Sequence, residues 1–178
     1  MGADSCNLLV TGRPGVGKTR VVERAVQELE DLRLAGFLTA EIRESGRRVG
    51  FSATTLAGER WVMAHVDIAS RQRVGRYGVD VPVIDEIVGL ALEDEAGIQA
   101  FVIDEIGKME LYSTRFVAAV ERLLDDPRPL AASLAMSGPG LIAEARRRPD
   151  VELWEIDFEN RNAMPRRVAA WVRAHLAE

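Results

Sequence analysis

At 178 residues the chain is expected to form one domain, large enough to bury a core without disulfides or a structural metal. Its formal charge of −5 argues against a surface built for duplex nucleic acid, although a local basic groove would survive that argument. No apolar run approaches the roughly 20 residues a bilayer span requires, and the first residues lack a signal-peptide pattern. The single cysteine, Cys6, cannot pair within the chain, so the expected setting is the reducing cytoplasm, as a monomer.

Asn7–Thr11 is a short apolar run and reads as a buried first strand. Gly12-Arg13-Pro14-Gly15-Val16-Gly17-Lys18-Thr19 follows it and fits G-x-x-x-x-G-K-[ST] at every specified position. The glycines let successive backbone N–H groups turn inward onto phosphate oxygens. Helix spacing from Lys18 onward (Val21, Val22, Ala25, Val26, Leu29, Leu32) adds the positive end of a helix dipole, with Gly36 as its expected stop. In such a loop the lysine reaches the β- and γ-phosphates, so Lys18 is a catalytic as well as a binding candidate. The Thr19 hydroxyl is the first ligand expected for Mg²⁺. Only Lys18 and Lys108 are lysine among 23 basic residues. That bias marks both positions, although Lys108 reads equally well as a solvated surface residue.

Phe37–Arg43 and Arg48–Thr54 read as a hairpin around Glu44-Ser45-Gly46. Thr39, Glu41 and Arg43 share one strand face, and with Arg47 and Arg48 they either line a phosphate pocket or form a polar, half-exposed face. Two strands are expected near Val62–Val66 and Val74–Val79. His65, with no second histidine nearby in sequence, reads as half-buried structure and not as a metal ligand.

Two stretches then end in Asp-Glu. Pro82 and helical spacing place Asp85 and Glu86 in the first turn of a helix, where carboxylates suit the dipole. Asp104 and Glu105 instead end the apolar run Ala100–Ile103, at the carboxyl edge where ligands of open α/β sheets bind. Asp104 is the second Mg²⁺ candidate, acting through water. Glu105 is the candidate general base that polarises a water in line with the γ-phosphate, with an arginine-paired cap as its structural alternative.

A helix over Ser113–Asp125, a strand over Leu130–Met136, a short helix over Leu141–Arg148, a strand over Val151–Asp157 and a closing helix over Ala163–Ala177 complete the alternation. The expected class is α/β: a mostly parallel sheet with helices on both faces and an early antiparallel hairpin. Arg146-Arg147-Arg148 reads as charge suited to a helix end. Asn160-Arg161 follows the last strand, where Arg161 is placed to stack on a base or pair with phosphate, and Asn162 is the better-placed helix cap.

Taken in order, Gly12–Thr19, Gly36-Phe37-x-Thr39-x-Glu41-Ile42-Arg43, Gly46–Phe51, Val74-Gly75-x-Tyr77, Ile103–Leu111 (IDEIGKMEL) and Glu159–Asn162 resemble the THEP-type nucleoside-triphosphatases end to end. The resemblance implies a RecA-like P-loop fold and slow, Mg²⁺-dependent hydrolysis of ATP, GTP and other nucleoside triphosphates. It also implies nucleotide contacts in the phosphate loop and along Phe101, Val102, Ile103, Asp104, Glu105, Ile106, Gly107 and Lys108. Met136–Leu141 departs from the pattern, since relatives more often carry a basic residue there. A small nucleoside or nucleotide kinase and a nucleotide-dependent regulatory module are the alternatives. The Arg43–Arg48 hairpin lies too early for a kinase lid, and the absence of Asn-Lys-x-Asp argues against a guanine-specific switch.

Overall fold

All five residues of the first strand, β1 (Asn7–Thr11), are buried, which requires sheet neighbours on both sides and cover on both faces. The computed structural model, which describes residues 7–176, supplies them: β8 (Leu130–Leu134) and β9 (Val151–Glu155) pair with β1 in parallel. β7 (Ala100–Ile106) pairs in parallel with β8 and with β2 (Leu34–Glu44). The phosphate-loop strand and the Asp-Glu strand are therefore separated by one strand, β8, in the order β2-β7-β8-β1-β9. This is the parallel core that the RecA-like expectation calls for.

β3 (Arg47–Thr55), β4 (Arg60–His65), β5 (Arg73–Val74) and β6 (Tyr77–Val79) extend the same sheet through antiparallel pairings. The antiparallel part is thus four strands beyond β2, larger than one hairpin. The single strand expected over Val74–Val79 is in fact the tight hairpin β5–β6, turned at Gly75-Arg76.

One face of the sheet is covered by α1 (Lys18–Gln27) and α5 (Met164–Ala174), whose Val21, Val22, Val168 and Val172 meet Leu8 and Val10. The other is covered by α2 (Val81–Ala91), α3 (Thr114–Leu124) and α4 (Leu141–Ala145), packed on Leu9, Phe37, Phe101 and Ile103. Ser113 caps α3 by accepting from the Phe116 amide at 2.9 Å, and Asp80 caps α2 through the Val83 amide at 3.2 Å. Asp85 lies in the second turn of α2, not the first, and accepts from the Ser113 hydroxyl at 2.5 Å. It joins α2 to α3, as a structural acid should.

Gly36 does not end α1, which stops at Gln27. It lies inside β2, where a Cβ would come within 1.7 Å of the Val102 carbonyl oxygen. Only glycine allows β2 to pack this closely on β7, so the residue read as a helix stop is a strand-packing device. Asn162 is not the cap of α5; Ala163 occupies that position with no side-chain bond. Cys6 lies outside the described residues. Among the described residues no helix is long and apolar enough to cross a membrane.

Candidate nucleotide site

The phosphate loop joins β1 to α1, and its conformation is set from beneath. Val16 is 2% exposed and packs into the core under the loop; burial of a valine side chain stabilises by roughly 1.5–3 kcal/mol. Gly15 and Gly17 have φ of 79° and 107°, a region that favours glycine, with open space where a Cβ would stand. Gly12 is fixed differently: a Cβ there would lie 2.5 Å from the Ile156 carbonyl oxygen just beyond β9. Arg13, Pro14, Gly15 and Thr19 are exposed along the loop. Lys18 is largely shielded and donates to the Gly12 carbonyl at 3.1 Å.

Asp104 and Glu105 reach the same edge from β7, and the peptide joining them is cis. Asp104 is 1% exposed, and such burial demands partners. Its Oδ1 accepts from the Ser133 hydroxyl at 2.5 Å, and its Oδ2 from the Thr39 hydroxyl at 2.9 Å and, at a long 3.4 Å, the Thr39 amide. Thr39 comes from β2 and Ser133 from β8, so the two strands flanking β7 hold the carboxylate from opposite sides. Glu105 Oε2 lies 4.0 Å from Lys18 Nζ. Burial raises the Glu105 carboxyl above its ordinary range; the Lys18 ammonium opposes that rise, and the Asp104 charge adds to it. The result is a partly desolvated acid beside the lysine of the phosphate loop, the environment that tunes carboxyls for proton work.

The other candidates separate clearly. The side chains of Phe101, Val102, Ile103 and Ile106 are enclosed in the core, so any contact these positions make with nucleotide would run through the backbone. Phe101 stands at the amino end of β7, away from the loop, with the Arg128 guanidinium 4.8 Å from its ring centre. These residues act by holding β7 in place. Gly107 is buried beside Glu105, and Lys108 is exposed.

Glu41, Arg43 and Arg48 engage one another. Glu41 accepts from Arg43 at 2.7 Å and from Arg48 at 2.8 Å, and Arg48 first, then Arg43, holds its carboxyl below the usual range. Arg48 also donates to the Tyr77 hydroxyl at 2.9 Å and lies 5.1 Å from the Phe51 ring centre. The hairpin arginines thus tie β2, β3 and β6 together, and of the five polar hairpin residues only Thr39 reaches Asp104.

Beyond β9, Asn160 closes a turn: its Oδ1 accepts from the Asp157 amide and its Nδ2 donates to the Glu155 carbonyl. With both ends engaged it shapes the loop, and Arg161 is the residue presented. Arg161 donates to the Val16 carbonyl at 3.3 Å and lies 4.9 Å from the ring centre of Phe158, which is 67% exposed. A cleft of about 280 Å³ opens there between α1 and α5, lined by Gly17, Arg20, Arg24, Arg161 and Pro165 among others. It begins at the phosphate loop, and Arg161 in its lining lies over the exposed Phe158 ring.

Two residues were missed by the sequence reading. Ser133 is fully buried within the otherwise apolar run Leu130–Leu134, and a lone hydroxyl in a buried strand was the available signal. Arg146, read as helix-end charge, donates to the Thr11 hydroxyl at 2.8 Å and the Ala135 carbonyl at 3.1 Å, pinning the carboxyl ends of β1 and β8.

Residues 7–169 match the model of the NTPase family. The chain belongs to that family. It is 38% identical over 163 residues to the nucleoside-triphosphatase THEP1 of Thermotoga sp. (strain RQ2), covering 88% of this chain and 90% of that protein. It is 36% identical over 172 residues to the human cancer-related nucleoside-triphosphatase, with the same two coverages. Among solved structures, that of THEP1 from the hyperthermophile Aquifex aeolicus superposes with a TM-score of 0.77 at 32% identity, covering 93% of this chain and 98% of that one. The human NTPase solution structure gives 0.76 at 33% identity, covering 96% and 98%. The fold of this NTPase-family chain is therefore that of P-loop NTPase structures.

Proposed function

We propose that the protein hydrolyses nucleoside 5′-triphosphates to the diphosphate and phosphate, with Mg²⁺ and with broad base tolerance. The observation that carries this reading is the placement of Glu105: a partly desolvated carboxyl 4.0 Å from Lys18, beside a phosphate loop and next to an anchored aspartate. The names of its relatives as nucleoside-triphosphatases support the same reaction.

In this reading the loop N–H groups and Lys18 bind the β- and γ-phosphates, and Lys18 stabilises charge as the bond to the leaving diphosphate breaks. Glu105 orients a water in line with the γ-phosphate and accepts its proton. The donor set beside the phosphates fits Mg²⁺, which favours oxygen ligands and retains several waters. Thr19 offers a hydroxyl, and the Asp104 carboxylate, set by Thr39 and Ser133, keeps lone pairs for a water in the metal's shell. Held there by Thr19 and, through water, by Asp104, the ion would offset phosphate charge. The base lies toward the cleft of Arg20, Arg24 and Arg161, where stacking on Arg161 and Phe158 discriminates little between purine and pyrimidine. An abundant intracellular substrate and a single cysteine suit the cytoplasm.

Phosphate release is the test. With ATP and Mg²⁺ alone the protein should turn over without any added nucleoside or nucleotide acceptor. Transfer that occurs only when an acceptor is present would replace hydrolysis with kinase chemistry.

A further inference from the structure

Two acids converge on Gly107. A Cβ built there would lie 2.8 Å from Glu105 Oε1 and 2.9 Å from Glu110 Oε2. The two oxygens are therefore no more than about 6 Å apart, within the range at which neighbouring ionisable groups act on each other. Glu110 begins the single 3₁₀ turn after β7 (Glu110–Tyr112) and is 4% exposed. Among the described residues no arginine, lysine or histidine pairs with it, and its polar neighbours are the backbone amides of Gly107 and of Glu110 itself. The charged groups that act on it are Glu105 and, more weakly, Asp104, both from β7.

An acid in this position needs a reason. Burial first, and the Glu105 charge next, push the Glu110 carboxyl up to about 8, so at neutral pH it is an uncharged acid carrying an O–H donor. Burial raises the Glu105 carboxyl as well, but there the Lys18 ammonium opposes the rise. A carboxyl partly withdrawn from water keeps lone pairs for a donor on the Gly107 side, and an apolar residue at position 110 would not supply one. Gly107 has no side chain to fill the gap, and a long, rotatable glutamate left unsupported would sample several rotamers.

We infer that Glu110 is a positioning residue for Glu105: packed behind it over Gly107, it confines the Glu105 carboxylate to the side facing Lys18 and the phosphate loop. This rests on the reading that Glu105 orients the attacking water. Glu110 touches neither phosphate nor water itself. Its contribution is geometric, and misplacing a reacting group by about 1 Å can lower turnover a hundredfold.

The experiment compares steady-state ATP hydrolysis across four variants, each with a thermal melt. Glu110→Met keeps the volume without a donor, and Glu110→Ala removes both. For each, kcat should fall about tenfold to a hundredfold, with KM for ATP within about twofold of the wild type. Glu110→Gln restores an uncharged donor and should recover most of that loss. Gly107→Ala wedges a methyl between the two carboxyls and should lower kcat in the same way, which keeps the test intact if Glu110→Ala does not fold. Wild-type kcat in Glu110→Met, or KM rising in step with the loss of kcat, would overturn the inference. Glu105→Gln measured alongside separates the two failures. If it turns over normally, the reading of Glu105 is wrong; if it is inactive while the Glu110 variants match the wild type, only the role of Glu110 is lost.

Discussion

Ser133 donates its hydroxyl to Asp104 Oδ1 at 2.5 Å from the neighbouring strand, inside a part of the sheet that excludes water. Together with Thr39 on the other flank it fixes the rotamer of the carboxylate proposed to face the metal. Removing either hydroxyl should loosen that carboxylate. Ser133→Ala is expected to destabilise the fold by roughly 1–3 kcal/mol, the cost of leaving a buried acceptor unmatched. It should also raise the Mg²⁺ concentration needed for half-maximal hydrolysis. Thr39→Val should do the same. A Mg²⁺ titration with unchanged midpoint in both variants would detach these hydroxyls from the metal.

Lys18→Ala should weaken binding of triphosphate far more than of nucleoside, because the lost ammonium is the one proposed to face phosphate. Losing a charge-assisted contact costs on the order of 1.5–3 kcal/mol, roughly ten- to a hundredfold in affinity. Calorimetry with ATP and adenosine makes the comparison, and equal weakening for both would place Lys18 away from the phosphates.

Asp104 and Glu105 are adjacent in sequence but should fail differently. Asp104→Ala is expected to lose Mg²⁺-dependent affinity along with turnover. Glu105→Gln should bind ATP nearly as the wild type does and turn over about 10²–10⁴ times more slowly, the usual worth of a positioned general base. Glu86→Gln, on the outer helix α2, serves as the control and should change neither. Rapid hydrolysis by Glu105→Gln would move the base elsewhere.

Glu110 should also shape stability against pH. It titrates near 4.5 in the unfolded chain and at about 8 in the folded one. Between those values the folded state holds a proton the unfolded chain has released, so raising the pH through this window destabilises the fold. The slope attributable to this one group approaches about 1.4 kcal/mol per pH unit. Glu110→Gln removes the titration, so denaturant melts at pH 5, 6.5 and 8 should show the variant gaining on the wild type as pH rises. A constant difference across the series would mean that Glu110 ionises normally in the folded protein.

Competition among ATP, GTP, CTP and UTP should yield kcat/KM values within about tenfold of one another, or about 1.4 kcal/mol. Strict dependence on one base would return attention to a nucleotide-specific switch.

Much of this arrangement was legible from local pattern. The phosphate loop is a contiguous motif, and β7 announces itself by an unbroken apolar run ending in acid, so Lys18, Asp104 and Glu105 could be named before any geometry was known. Glu86 could be set aside for the converse reason, its helical context. Partners contributed by other strands were harder to see. Nothing adjacent to Ser133 links it to Asp104, 29 residues away; that contact exists only because β8 lies between β1 and β7. Gly36 misled because a glycine after a helical pattern commonly ends a helix, whereas its role here depends on the approach of β7. Phe101–Ile103 enter the nucleotide segment by resemblance alone; what the apolar run itself announces is the burial of their side chains in β7.

Ile156 has a wider reach than its position suggests. Its amide donates to the Thr11 carbonyl at 2.7 Å, and its carbonyl oxygen abuts Gly12 so closely that no side chain fits between. The chain then runs directly on to Phe158 and Arg161, and Arg161 returns to the Val16 carbonyl. The phosphate loop and the proposed base end of the cleft are thereby joined at both extremities of one short segment. In the proposed reading, a cleft joined in this way would select among bases by static fit and not by closing around one of them. In proteins that select by closure, the two ends of the cleft ride on parts that move separately; here a substitution at Ile156 would disturb both ends together.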